Sequence, residues 1–492
     1  MVTPTRVSQH KLQQESAIDF NAVEKDFPHI LDLTAHSPLG KLLDREANLA
    51  LGRAQRKQVS RQVLTEISQR PRNFNLLSVY RASNVGRLPA LLPVRARRMS
   101  ISPFTFFRGL PLAMAMDLGR EPHSGLFLQI CGDCHLLNFG GFASPERHLL
   151  FGINDFDETI VGPFEWDLKR LATSFVIAAR EISLSADEAQ QAVRIVMESY
   201  RDYLQQMTNF SPLEVWYQSV DAKDVLAATE SRKTRKIRAT KMTEARHNTS
   251  KAVVPKWTEL NGEGKRKFID EPPLIFHPKE GDPFAAGVRP FFERYRESLP
   301  EDRQTLFDRY RLTDIAIKVV GVGSVGTRCA VAMFESADSE KNGTEPLILQ
   351  MKEARRSVLA DFVPVHYANQ GARVVHGQHM MQAASDIFLG WATSGRVKTN
   401  YYVRQLRDMK MSIDIEEMDG TYLMEYAKSC GMALAHAHGK AGNPAVITGY
   451  LGKSDRFIQT MQRYAVAYAD RNEADYAVFM KAVVAGKIKR SD

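Results

Sequence analysis

Polar residues at helix-favouring spacing fill the first hundred positions, ending in the basic run VRARRMS before the apolar SPFTFFRGLPLAMAMDL. From about Leu126 the pattern changes to short apolar runs broken by Gly, Asn and Asp, in GLFLQI, CGDCHLLNFGG and HLLFGINDFDE, which predict short strands joined by loops. DLKRLATSFVIAAREI and ADEAQQAVRIVMESYRDYLQQM repeat apolar positions at helical spacing and predict long helices. A basic segment and the turn-rich EPPLIFHPKEGDPFAAG predict an insert or linker, followed by a helix over VRPFFERYRESLP. After Tyr310 strand character returns: DIAIKVVGVGSVGTRCAVAMFES is two β-runs around a glycine-rich turn, and EPLILQMKEA is a third strand. Helices dominate the remainder, interrupted by a strand at YYVRQLRD.

These changes divide the chain into five stretches: a mainly helical region (1–125), a stretch around CGDCHLLNFGG (126–222), a basic and Pro-rich insert with helices (223–305), a glycine-loop unit (306–410) and closing helices (411–492). With 492 residues and 44% hydrophobic content, the chain supports more than one core, so two lobes or more are expected. No apolar run approaches the roughly 20 residues needed to span a bilayer, and MVTPTRVSQHKLQQES lacks the apolar centre of a signal peptide, so a cytoplasmic protein is expected.

The formal charge of +9 is local, because Ser231 to Phe268 holds twelve Lys/Arg against three Asp/Glu. The rest of the chain is close to neutral. Such a segment reads as a solvated helix or insert rather than a specific nucleic-acid site.

CGDCHLLNFGG, Cys131 to Gly141, supports two readings. CxxCH is the attachment signature of a c-type haem, but covalent attachment needs export, for which no signal is evident. GDxHxxxN, read from Gly132, has the DxxxxN spacing of a kinase catalytic loop, with Asp133 placed to orient or deprotonate an acceptor hydroxyl and Asn138 to bind metal. INDFDE then supplies Asp155, placed like the metal-binding Asp that follows this loop in kinases. Each acid alone could cap a turn; their order within a short stretch favours phosphoryl transfer. Asp167, in GPFEWDLKRLA, either holds the catalytic loop or is a simple N-cap.

Gly321, Gly323 and Gly326 form GxGxxG, with Ser324 at its tip. A dinucleotide-binding fingerprint runs into a helix, whereas a strand follows here, as in the glycine loop that covers phosphates in kinases. Lys352, on the third strand, stands where a kinase lysine pairs with the α and β phosphates; the plainer reading is a strand-end surface lysine. Kinases hold that lysine with a helix Glu, but the following NQGARVVHGQHMMQAASD has none, leaving Glu353, Gln378 or Gln382 as substitutes.

The string SPFTFFRG, CGDCHLLNFGGF, NDFDETIVGPFEWDLKRLATS, GVGSVGTR, LQMKEARRSVL and LAHAHGKAG resembles the bacterial domain of unknown function 2252 family across nearly the whole chain. That family is similar in its motifs to aminoglycoside phosphotransferases and other protein-kinase-like enzymes. The resemblance implies Asp133 as catalytic-loop acid, Asn138 and Asp155 as metal ligands, and Lys352 with the 321–326 loop as nucleotide clamp. Two departures stand out: Cys131 replaces the His that usually precedes GD, and the glycine loop follows the catalytic loop instead of preceding it. YAKSCGMALAHAHGKAG resembles the helix that normally leads into that loop, so a circular permutation accounts for the order.

The expectation is therefore an α+β protein of kinase-like two-lobed fold, circularly permuted, binding ATP with Mg²⁺ and passing the γ-phosphate to a hydroxyl acceptor. AMP transfer from the same cleft, or a nucleotide-binding pseudokinase scaffold, are the alternatives. The acceptor and the oligomeric state are not legible. Arg108 in FFRG and the basic run before it either recognise an anionic substrate or brace the cleft by pairing with its carboxylates.

Overall fold

The computed structural model describes residues 30–34, 42–262, 266–272, 274–278, 283–319, 323–336, 346–395, 398–406 and 409–491. Gly321 lies outside them. The polar N-terminal region forms helices α1 (Arg45–Gln58), α2 (Leu76–Asn84), α3 (Leu92–Met99), α4 (Pro103–Gly109) and α5 (Pro111–Leu118). A reciprocal Ser102–Thr105 cap and a proline at the first helical position start α4.

Strands β1 (Leu31–Asp32), β2 (Leu126–Ile130) and β5 (Ile160–Pro163) form one small sheet in the order β1-β2-β5. The hairpin β3 (Phe139–Ala143) and β4 (Leu149–Ile153) forms a second. Every residue of β2 is buried, as its unbroken apolar run requires. The loop carrying Asp133 and Asn138 leaves β2, and the loop carrying Asp155 leaves β4. The two long helices predicted next are α6 (Glu165–Glu181) and α7 (Ala186–Met207), the latter opened by a Ser185–Glu188 capping box.

The basic segment begins as helix α8 (Arg232–His247), whose Lys233 and Lys241 pair with Asp419 and Glu417. Part of the stretch read as an insert packs with the sheet that follows it. After the β6 (Thr258–Leu260) and β7 (Arg266–Phe268) hairpin, β8 (Ile275–Phe276) joins the edge of a six-stranded sheet, and α9 (Pro283–Glu297) covers its back. The physical reason is apolar periodicity: Phe291, Phe292 and Tyr295 of α9 need a partner surface, and the sheet supplies it.

That sheet contains β9 (Tyr310–Lys318), β10 (Cys329–Ser336), β11 (Leu347–Glu353), β12 (Gly390–Thr393) and β13 (Asn400–Gln405), in the order β12-β13-β11-β10-β9-β8. Its two faces follow from period-two alternation. Leu347, Leu349 and Met351 point to the α9 side with Phe334, Tyr401 and Val403. Gln350, Lys352 and Arg404 therefore point the other way, where they line a cavity of about 460 Å³. Helix α10 (Gln370–Met381), capped by Asn369, connects β11 to β12.

The last helices, α11 (Gly420–Ala441), α12 (Pro444–Leu451) and α13 (Arg456–Val484), return to the first half of the chain. Tyr422, Leu423, Ile447, Ile458 and Met461 share one buried core with β2, α6 and α7. The result is a mixed α+β architecture with several small sheets. No helix among the described residues is long and apolar enough to cross a membrane.

Candidate active site

The loop after β2 is shaped by backbone before any side chain acts. Gly132 has φ +80°, and a Cβ there would lie 2.3 Å from the Glu158 carbonyl oxygen, so only glycine fits. Asp167 resolves between its two readings in favour of loop holding: it is the third residue of α6, not the cap. Its carboxylate accepts the N–H of Cys131 at 2.8 Å and of Gly132 at 2.9 Å. His438 Nε2 stands 3.2 Å from the same carboxylate, and its Nδ1 is 2.8 Å from the Tyr200 hydroxyl. Tyr426 donates to the carbonyls of Leu136 and Phe139 at 2.8 and 3.0 Å. Helix α11, from the far end of the chain, thus braces this loop from below.

Cys131 and Cys134 are fully buried free thiols within that brace, leaving no exposed edge for a haem to reach. With Asp167 they are the only cluster of metal-type ligands among the described residues. The Asp167 oxygens are committed to backbone N–H groups, and burial pushes both thiols up, Cys134 to about 11, so the group reads as core.

Above the brace, Asp133 reaches the cleft. Its carboxylate pairs with Arg170 and lies 3.9 Å from His135 Nε2. Burial pushes the Asp133 carboxyl up from its ordinary value, opposed by the Arg170 charge. The Asn138 amide nitrogen donates to the Asp133 carbonyl at 2.5 Å, which leaves its carbonyl oxygen as the free end. Asn154 N–H donates to the Asn138 carbonyl at 2.8 Å, bringing Asp155 beside Asn138, and both residues line the cleft. An Asn oxygen and a carboxylate without a basic hydrogen-bond partner form a hard-oxygen pair suited to Mg²⁺.

Lys352 is buried, which discards the surface reading, and its Nζ meets Asp157 Oδ2 at 2.7 Å. None of Glu353, Gln378 or Gln382 takes the part of the helix Glu. Glu353 pairs with Arg328, Gln378 bonds Gln382, and Gln382 reaches the Ile153 carbonyl. The carboxylate that pairs with Lys352 is Asp157. Tyr402 donates to it at 2.6 Å and Ser324 at 3.2 Å. Burial alone would raise the Asp157 carboxyl; Lys352, Tyr402 and Arg404 together bring it down to about 2. Burial likewise disfavours a charged Lys352, but Asp155 and Asp157 overcome it and hold the ammonium well above its usual range.

The described part of the glycine loop is pinned to the N-terminal region. Gly326 has φ +87°; its carbonyl accepts Leu88 N–H at 2.8 Å, and Arg87 donates to the Val325 carbonyl at 2.6 Å. Gly323 and Ser324 face Asp157 and Glu158 across a second cavity.

Asn138, Asp155, Ser324 and Lys352 are therefore gathered at one cleft from two stretches nearly two hundred residues apart, and Asp133 lines the adjoining smaller cavity with Asn138, Asp155 and Ser324. Sequence reasoning missed Asp157, Arg170, Tyr402 and Arg404. Two of them carried a signal: Asp157 completes the DFD of INDFDE, and Arg170 lies one turn beyond Asp167 on α6. The arrangement presents a carboxylate for a hydroxyl proton, oxygen ligands for a divalent ion, and a buried cation for phosphate.

A family model described as an uncharacterized protein conserved in bacteria (DUF2252) matches residues 87–482, a span that includes all of these groups. No curated protein and no solved structure matches the chain.

Proposed function

We propose that this chain, which belongs to the DUF2252 family of proteins conserved in bacteria, is an ATP-dependent phosphotransferase acting on a hydroxyl acceptor. The observation that carries the reading is the convergence of two distant stretches. Lys352 and Ser324 from one meet Asp157 from the other at 2.7 and 3.2 Å, beside Asn138 and Asp155.

In this reading Lys352 fixes the α and β phosphates, and the described part of the glycine loop, 323–326, offers backbone N–H groups to them. Asn138 and Asp155 would hold Mg²⁺, which neutralises charge on the transferring phosphate when bound. Asp133 orients the acceptor hydroxyl and takes its proton. The hydroxyl oxygen forms a bond to the γ-phosphorus as the bond from that phosphorus to the β,γ-bridging oxygen breaks, giving ADP and a phosphate ester.

The fold is, on the same reading, protein-kinase-like and circularly permuted. The glycine-loop sheet at 310–405 follows the catalytic loop at 131–138, and α11, near the C-terminal end, supplies Tyr426 and His438 to support that loop. A second reading, a nucleotide-binding module without turnover, draws on the Asp133–Arg170 pair, which engages the acid that chemistry would need free.

Calorimetric titration of ATP, with and without Mg²⁺, into wild type, Asp155→Ala and Lys352→Ala tests the cleft. Mg-dependent binding weakened by both substitutions is expected, followed by ADP release on addition of acceptor. No ATP binding at all would sink the reading. Binding without ADP or pyrophosphate release would favour the module, and pyrophosphate release would indicate AMP transfer.

A further inference from the structure

Asp133 and Lys352 border different spaces. Lys352 lines the cleft of about 460 Å³, and Asp133 lines a second cavity of about 210 Å³. Asn138, Asp155, Ser324 and Arg108 line both. If the larger cleft takes the nucleotide, the metal-type ligands stand at the boundary where a phosphate would cross, and the smaller cavity lies on the acceptor's side.

Five arginines border that smaller cavity: Arg87, Arg95, Arg108, Arg355 and Arg356. Arg356 pairs with Asp361, and none of the other four pairs with a carboxylate among the described residues. Arg87 donates to the Ser83 and Val325 carbonyls, Arg95 to the Asn84 side chain and the Gly109 carbonyl, and Arg355 to the Val85 carbonyl. Arg108 Nε and Arg95 Nε have no hydrogen-bond partner, and Arg95 is fully buried.

Most acids of the same cavity are engaged elsewhere. Asp133 pairs with Arg170, Asp157 with Lys352 and Glu353 with Arg328, Glu158 accepts Val358 N–H, and Asp155, at the boundary with the larger cleft, accepts Asp157 N–H. Burial and the neighbouring arginines draw Arg87 down to about 9 despite Glu158 and Glu353, and burial draws Arg95 to about 10. A cluster of desolvated, unpaired guanidiniums is costly without an anion to complete it, and the planar fork of arginine suits phosphate oxygens.

We infer that the smaller cavity is the acceptor pocket and that its acceptor is a small hydroxyl compound already bearing a phosphate group, held by Arg355, Arg108 and Arg87 with its hydroxyl at Asp133. This rests on the phosphotransferase reading above. The volume, below that of pockets for drug-sized ligands, suits a short-chain phosphate ester.

The test is calorimetry of inorganic phosphate into the full chain, free and saturated with Mg²⁺ and a non-hydrolysable ATP analogue, using wild type, Arg355→Ala and Arg355→Glu. Arg355 is partly exposed and bonds one loop carbonyl, so both variants should fold. Expected is phosphate binding that persists on the nucleotide-loaded protein and falls roughly tenfold in Arg355→Ala, further in Arg355→Glu, with nucleotide affinity unchanged.

Phosphate binding abolished by the analogue would assign the arginines to the nucleotide's own phosphates, overturning the inference while the phosphotransferase reading stands. Nucleotide binding with no phosphate binding would overturn it equally. Phosphate binding lost in both variants on a protein that binds no nucleotide would support the anion pocket and sink the phosphotransfer. Binding of neither ligand would sink both.

Discussion

The two aspartates that flank the catalytic-type loop are satisfied in opposite ways. Beneath it, Asp167 is fully buried and is held chiefly by backbone N–H groups of Cys131 and Gly132, with His438 behind. Above it, Asp157 is held by side-chain donors on the facing sheet and glycine loop, Lys352, Tyr402 and Ser324. Backbone donors cannot leave without unfolding the loop. Side-chain donors can rotate away, so Lys352, Tyr402 and Ser324 can turn from Asp157 to another acceptor while the lower set keeps the loop in place. Geometry is fixed on one side of the loop and contacts are interchangeable on the other.

The largest expected effect falls on the fixed side. Asp167→Ala strands two buried N–H groups at the loop and should cost about 3 kcal/mol or more, read as a drop in the urea midpoint with unchanged slope. A loss under about 1 kcal/mol would break the contrast.

Next comes the exchangeable side. Lys352→Met should weaken ATP binding at least roughly tenfold, yet lower stability less than Asp167→Ala does. Asp157 keeps Tyr402 and Ser324 as donors and has 27% of its side chain exposed. An equal loss of stability in the two variants would contradict the distinction.

Acid titration sharpens it further. Asp157 sits at about 2, below its ordinary 3.8, so its charge stabilises the fold above about pH 4 and that stabilisation fades as pH falls towards 2. Stability of Asp157→Asn measured between those pH values should fall less steeply than that of wild type. Asp133 shifts in the opposite direction, so the acid limb of kcat/KM should lie above the ordinary carboxylate value of 3.8. The smallest effect belongs to the basic helix: Lys233, 71% exposed beside Asp419, should change stability by less than about 0.5 kcal/mol when replaced by Ala in the same urea assay.

Local pattern singled out the residues that the structure brings near one another. DxxxxN, DFD and the alternation through LILQMKE name Asp133, Asn138, Asp155 and Lys352 from short windows. What stayed hidden depends on contacts between windows. YYVRQ alternates as clearly as LILQMKE, but which of its residues face the cleft is decided by pairing with β11, where Lys352 lies opposite Tyr402. Glu353 and Gln378 were plausible partners of Lys352 by element, and Asp157 prevailed because its loop crosses beneath the sheet, a tertiary fact. Arg87 lies in the turn after α2, outside any motif, and Arg95 is one of three arginines in VRARRMS, whose spacing alone does not say which of them faces the cavity. The edge strand at Ile275–Phe276 is too short and too rich in flanking prolines to register as a strand.

The bracing of the loop by α11 also bears on synthesis. Leu136 leaves the ribosome 290 residues before the tyrosine that will hold its carbonyl. At ordinary elongation rates that is roughly 15 to 60 s during which the nascent loop has glycine and aspartate in place but lacks its clamp. Ribosome-bound fragments ending before Tyr426 would carry the 131–138 loop without its brace, so the loop is clamped only once that tyrosine has been made and its helix has docked.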